Sequence, residues 1–144
     1  MGIHLEAITY VVDENLIRVA RALQLLRADV AYFGDDAVRD LVPLESLDTE
    51  WIPLVAVRGW VVVTDDRRLR TRPIEANLAR EHGLKVIHLY KAGNLSPWDQ
   101  AVQLLSHWPK VASFHRDHPS GPWWLSVRKS MIRVQRFEPG AIER

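Results

Sequence analysis

The sequence predicts an α/β fold built on a mostly parallel sheet covered on both faces. Short apolar runs of strand length alternate with stretches whose apolar residues repeat at helical spacing. Each switch falls at a Gly, Pro, Ser or Asp suited to end one element or start the next. Size agrees: 144 residues, 47% hydrophobic and 26% charged, are enough for one domain to bury its own core. Cysteine is absent, which excludes disulfides, thiolate nucleophiles and cysteine-containing zinc sites.

Taken in order, residues 5–12 (L-E-A-I-T-Y-V-V) read as a strand, because they end in an apolar, β-branched run. From Asp13 the period changes, and Leu16, Val19, Ala20, Leu23 and Leu26 define a helix. Asp13 or Asn15 suits its N-cap, since either side chain can accept the orphan N–H groups of the first turn. Val30 to Phe33 is a second short strand, and Gly34 opens an acidic loop or short helix, G-D-D-A-V-R-D. Ser46 to Arg58 reads as a helix that starts at Ser46 or Asp48 and ends before Gly59. Trp60 to Thr64 is a strand. Pro73 opens a helix through His82, stopped by Gly83, and Lys85 to Leu89 is the next strand. Ser96-Pro97-Trp98-Asp99 starts a helix that runs to about Trp108. In the last 36 residues, W-W-L-S-V and M-I-R-V-Q-R-F suggest a C-terminal hairpin. No internal repeat or low-complexity tract breaks the chain.

The N-terminus has neither a basic region nor an apolar stretch of signal-peptide length, and no run approaches the roughly 18 apolar residues of a membrane span. A cytoplasmic location is expected. The net charge of +1 hides an asymmetry: residues 1–66 carry 5 Lys and Arg against 12 Asp and Glu, a net of −7, and residues 67–144 carry 14 against 6, a net of +8. A protein that gathers a cation in one place and a polyanion beside it needs such a division.

Asp13 and Asp66 each lie just beyond an apolar strand, at the edge of a parallel sheet where strand ends and helix starts converge on a ligand crevice. Asp48, at a helix start, is a third acid, with Glu50 close by. An Asp at such a junction is often only a cap. Brought together, however, three carboxylates repel one another and lose solvation, so a cation is needed to hold them. For oxygen-only ligands that cation is Mg²⁺ or Mn²⁺, which can acidify water and stabilise charge developing on a phosphate.

The stretches V-V-D-E-N-L (11–16), L-D-T-E-W-I (47–52), G-W-V-V-V-T-D-D-R-R-L-R (59–70) and R-P-I-E (72–75) occur in order and at suitable spacing. Together they resemble the PIN-like domains, in particular the short group that includes the VapC-type toxins of bacterial toxin–antitoxin pairs. The resemblance covers roughly residues 8–90. It implies a three-layer α/β/α sandwich; length makes residues 1–144 one domain, with 109–144 as a C-terminal extension or hairpin. It also implies metal-dependent cleavage of RNA phosphodiesters. Carried over by position, the acids binding Mg²⁺ or Mn²⁺ are Asp13, Asp48 and Asp66, with Thr64 orienting a ligand through its hydroxyl. Glu14, Glu50 and Asp65 rank second as ligands, Asn15 supports the site, and Glu50 or Glu75 is the choice for a fourth acid. The implied partners are RNA and a cognate antitoxin, a DNA-binding protein encoded beside the toxin; a homodimer is compatible.

Arg67, Arg68, Arg70 and Arg72 can bind phosphate bidentately, and an extended R-x-R-x-R segment would put Arg68, Arg70 and Arg72 on one side. Further on, Arg128, Lys129, Arg133 and Arg136 interleave with Trp123, Trp124 and Phe137, a mixture suited to stacking unpaired bases or, alternatively, to core or oligomer packing. His115 and His118, spaced H-x-x-H, lack the acids of a metal site apart from Asp117. Two rival readings remain: an inactive PIN-like protein that binds RNA or a partner, and a receiver-like signalling module using Thr64 and Lys91.

Overall fold

The computed structural model describes residues 4–142; the outermost residues of the expected 1–144 domain lie outside them. One six-stranded sheet organises the chain: β1 (Tyr10–Val12), β2 (Val30–Tyr32), β3 (Val61–Thr64), β4 (Lys85–Leu89), β5 (Trp123–Val127) and β6 (Ile132–Gln135). Their spatial order is β2-β1-β3-β4-β5-β6. All neighbours are parallel except β5 and β6, which form the expected hairpin. β5 also pairs in parallel with β4, so the hairpin completes the central sheet.

Helices α1 (Ile17–Leu26), α2 (Asp48–Val57), α3 (Pro73–His82), α4 (Pro97–Leu105) and α5 (Trp108–Asp117) cover both faces. On one face, Trp51, Ile52 and Val55 of α2 and Ala76 and Ala79 of α3 pack against Val11, Val62, Val86 and Trp124. On the other, Val19, Ala20 and Leu23 of α1, Leu104 of α4 and Val111 of α5 meet Val12, Val61, Val63, Ile87 and Leu125. Because successive strand residues point to opposite faces, the uninterrupted apolar runs V-V-V and K-V-I-H-L feed both layers at once. The result is a three-layer α/β/α sandwich.

The chain steps from β1 outward to β2 and then crosses to β3 on the other side of β1, so the strand order reverses between β1 and β3. Outside the carboxyl ends of two such strands an open parallel sheet leaves a crevice. Asp13 follows β1 there, and Asp65 and Asp66 follow β3.

Several expectations need correction. Only Tyr10–Val12 of residues 5–12 is strand; Leu5–Ala7 is a 3₁₀ turn. β2 has only three residues to pair with β1, so little edge exists on which a longer β1 could extend. Of the two starts expected for the second helix, Asp48 is the one observed; the Ser46 hydroxyl instead donates to the Pro43 carbonyl at 2.5 Å. Leu26 is exposed, not part of the helical core stripe. The helix expected to reach Trp108 ends at Leu105, and Pro109 sits in the first turn of a separate α5. The arginine-rich segment is not extended: Arg67–Arg70 forms a 3₁₀ turn.

Candidate metal centre and basic cavity

Asp13, Asp48, Asp66, Thr64 and Glu14 line one small cavity of about 50 Å³, closed from below by Phe33, Trp51, Val62 and Leu69. Local sequence places each of them. Asp13 caps the 3₁₀ turn Glu14–Leu16 that leads into α1, accepting from the Asn15 backbone N–H at 3.4 Å. Thr64, only 1% exposed, ends β3. Its hydroxyl donates to Asp13 Oδ2 at 2.9 Å and accepts from the Asp66 backbone N–H at 3.0 Å. One hydroxyl thus joins the acid after β1 to the acid after β3. Asp66 in turn caps the arginine turn, accepting from Arg68 N–H at 3.0 Å. Asp48, in the first turn of α2, accepts from the Trp51 indole N–H at 2.9 Å.

Electrostatics sets the acids apart. Burial pushes the Asp13 carboxyl from its ordinary 3.8 to about 6, against the lowering effect of its Thr64 and Asn15 hydrogen bonds. Burial also raises Asp48, opposed by the Trp51 bond and reinforced by Asp66 and Glu75, while Arg72 pulls it down. Asp65 is raised by burial and by Asp66. Acids crowded into a small volume hold their negative charge poorly unless something positive joins them. Asp66 has Arg68, whose Nε lies 3.0 Å from Oδ1. Asp13 has no such partner among the described ion pairs.

This donor set fits a hard divalent cation: carboxylate oxygens dominate, and the cavity admits an ion with water but no organic cofactor. Among the described residues, however, no group of three or more acids or histidines stands ready to hold an ion. Asp13, Asp48 and Asp66 line the same cavity, yet Trp51 and Arg68 still hold two of them.

The remaining expected residues divide by position. Glu14 also accepts from the Glu45 N–H at 3.1 Å, fixing the loop before α2. Glu50 is exposed and outside the cavity, whereas Glu75 is close enough to raise Asp48. Asn15 lies with Asp65 and Asp66 along an adjoining open groove. The four arginines fan out from their turn. Arg68 is pinned to Asp66, Arg72 stands toward Asp48, and Arg67 faces the groove. Arg70 is 7% exposed and donates to the Arg136 carbonyl at 2.8 Å, tying the turn to the chain after β6. Trp123, Trp124 and Phe137 are buried in the core and offer no open face for stacking bases. His115 meets the Tyr10 hydroxyl at 3.2 Å and His118 meets the Phe114 carbonyl at 2.9 Å, both within helical packing.

Sequence reasoning missed His88, Tyr90, Ser126 and Gln135. His88 is 3% exposed, pairs in register with Thr64, and places Nε2 3.3 Å from the Asp65 carbonyl. A histidine inside the apolar run K-V-I-H-L was the available signal. With Tyr90, Gln135 and several cations it lines a second cavity of about 270 Å³ beside the groove.

No helix among the described residues is long and apolar enough to cross a membrane. No curated protein and no solved structure matches the chain. A family model described as a PIN like domain matches residues 8–91, more than half of the 144 residues, from β1 to just past β4. The matched stretch supplies both strands whose ends carry Asp13 and Asp66, and on that match the chain belongs to the PIN-like domain family.

Proposed function

We propose that the protein is a metal-dependent ribonuclease whose centre is the cavity formed by Asp13, Asp48 and Asp66. The observation that carries this reading is the convergence of three acids from β1, the start of α2 and the end of β3 on one small volume, with Asp13 raised to about 6. PIN-like domains are commonly nucleases. Bound there, Mg²⁺ or Mn²⁺ would supply an activated water and charge stabilisation for the phosphate under attack. Asp13, Asp48 and Asp66 would hold the ion, with Glu14 and Asp65 at its margins. Thr64 fixes the Asp13 carboxylate and the Asp66 backbone relative to each other, so that neither acid shifts without the other. Arg67, Arg68 and Arg72 lie beside the acids and would neutralise RNA phosphates, giving affinity that falls with salt. Arg70, buried, braces their turn from below.

The finer reading is the toxin of a toxin–antitoxin pair. It is supported by the D-E-N-L, L-D-T-E-W and V-T-D-D motifs. Its partner would be a small DNA-binding antitoxin whose tail covers the acidic groove. Growth arrest on expression, relieved by the neighbouring gene, tests that role.

An inactive RNA- or partner-binding protein is the second reading. The Arg68–Asp66 pair favours it, because a guanidinium already occupies one of the three acids. Incubation of the purified protein with a mixed pool of structured RNAs in Mg²⁺, Mn²⁺ or EDTA separates the two. Cutting that is lost in EDTA, and in folded Asp13→Asn and Asp66→Asn variants, supports the nuclease. RNA binding without cutting in any sample supports the inactive protein.

A further inference from the structure

The second cavity lies across β4, β5 and β6, and its character is opposite to that of the acidic one. Arg67, Lys91, Arg128 and Arg133 line it against a single carboxylate, Asp65. Trp124, Arg128, Arg133 and Gln135 come from residues beyond the 8–91 match.

Three features mark it as built for a ligand. First, the Arg128 guanidinium is stacked on Tyr90, its Cζ 3.9 Å from the ring centroid, which fixes its plane before anything binds. Second, Arg128 Nε and Trp124 Nε1, on two residues that line the cavity, are buried with no hydrogen-bond partner among the described residues; so is Ser126 Oγ, which lies between them in the chain without lining the cavity. Trp124 is 1% exposed and Ser126 fully buried. A buried donor without an acceptor costs about 1–3 kcal/mol, so the two donors on lining residues ask for an acceptor-rich partner. Third, the cavity is continuous with the acids. Thr64 pairs in register with His88, His88 with Ser126, and Ser126 with Arg133, so one polar row crosses four strands. Asp65 and Arg67 line both the basic cavity and the open groove, and Asp66 lines both the groove and the acidic cavity.

The aromatic residues do not serve a base. Trp124 and His88 are buried, and Arg128 covers a face of Tyr90. A phosphate fits what remains: planar guanidinium donors, a lysine and excess positive charge. We propose that this cavity is a phosphate-binding subsite that holds one nucleotide phosphate of the RNA, set off from the acidic centre along the groove. The proposal rests on the ribonuclease reading only for the identity of the polymer. The phosphate is either the monoester at an RNA end, which would fix the cut at a set distance from that end, or an internal phosphodiester, which would add affinity alone.

Fluorescence anisotropy of the full chain in EDTA, where nothing is cut, tests this with short single-stranded RNAs. They carry a 5′-phosphate, a 3′-phosphate or hydroxyls at both ends. Arg128→Gln and Arg133→Gln are each expected to weaken binding roughly five- to tenfold and to reduce the salt slope by about one. Arg21→Gln, an exposed change on α1 at the opposite face, controls for net charge and should lose no more than about twofold. Arg133 is exposed on the edge strand β6, so its variant stays folded even if Arg128→Gln does not. Preference for one phosphate-ended RNA that disappears in the variants assigns the terminal monoester. Equal binding of all three RNAs, equally weakened, assigns an internal phosphate. Variants no weaker than Arg21→Gln, or a cavity that takes an acidic peptide in preference to RNA, would overturn the proposal. Binding losses in the variants, together with no cutting of the same RNAs by the wild type in Mg²⁺ or Mn²⁺, would remove the nuclease and keep the subsite. In Mg²⁺ or Mn²⁺, normal cleavage with unchanged KM in both variants would do the reverse.

Discussion

Asp13 is the acid with the most to gain from a cation and the most to lose without one. Its carboxyl is raised from 3.8 to about 6 chiefly by burial. An acid raised in the folded state binds its proton more tightly there than in the unfolded chain. Native stability therefore falls as pH climbs from about 4 to about 6, and the full loss persists above. At about 1.4 kcal/mol per pH unit, the charged Asp13 costs the metal-free protein about 3 kcal/mol at neutral pH. Asp13→Asn removes that charge, and its amide oxygen still accepts the Thr64 hydroxyl. In EDTA at pH 8 the variant is expected to melt on the order of 10 °C above the wild type. Below about pH 4, where Asp13 is protonated in both states, the two should melt together. Adding Mg²⁺ should close the gap at pH 8, because an ion bound only by the native wild type stabilises it alone. Thermal scans by circular dichroism across that pH range provide the assay. A gap that does not change with pH, or a wild type more stable than the variant in EDTA at pH 8, would refute the reasoning.

Other consequences follow from the same geometry. Thr64→Val removes a hydrogen bond that lowers the Asp13 pKa, so the acid limb of the cleavage pH profile should move upward, with Thr64→Ser restoring it. Trp51→Phe strips Asp48 of its indole donor and leaves a core gap; a loss of about 2 kcal/mol in urea denaturation is expected, with reduced cleavage. At Gly121 an added Cβ would stand 2.1 Å from the Gly83 carbonyl oxygen, so Gly121→Ala should destabilise the chain by more than about 2 kcal/mol by the same measurement.

Where sequence reading succeeded, local chemistry decided the structure. Pro73 and Gly83 bound α3 because proline tolerates a first helical turn and Gly83 adopts φ +73°, a conformation that favours glycine. Lys85–Leu89 is a strand buried on both faces, so its apolar run needed no alternation. The positions of Asp13 and Asp66 were legible for the same reason, since each directly follows such a run. Where it failed, tertiary context decided. The last 36 residues read as a hairpin or extension, whereas α5 occupies Trp108–Asp117 with Pro109 in its first turn. Leu69 must turn inward under the acids while Asp66 caps Arg68, which forces R-R-L-R into a 3₁₀ turn and scatters arginines that an extended chain would align. His88 comes to lie beside Thr64, and Ser126 beside His88, only through strand register, which pairs residues far apart in sequence.

The central claim is that Asp13, Asp48 and Asp66 together bind a divalent cation although Trp51 and Arg68 now hold two of them. Calorimetric titration of the purified chain with Mn²⁺ at pH 7.5 tests it most directly, beside Asp13→Asn and Asp66→Asn. Saturable binding by the wild type, lost in both variants, is the result expected. Absence of binding, or binding that survives in both variants, would contradict it.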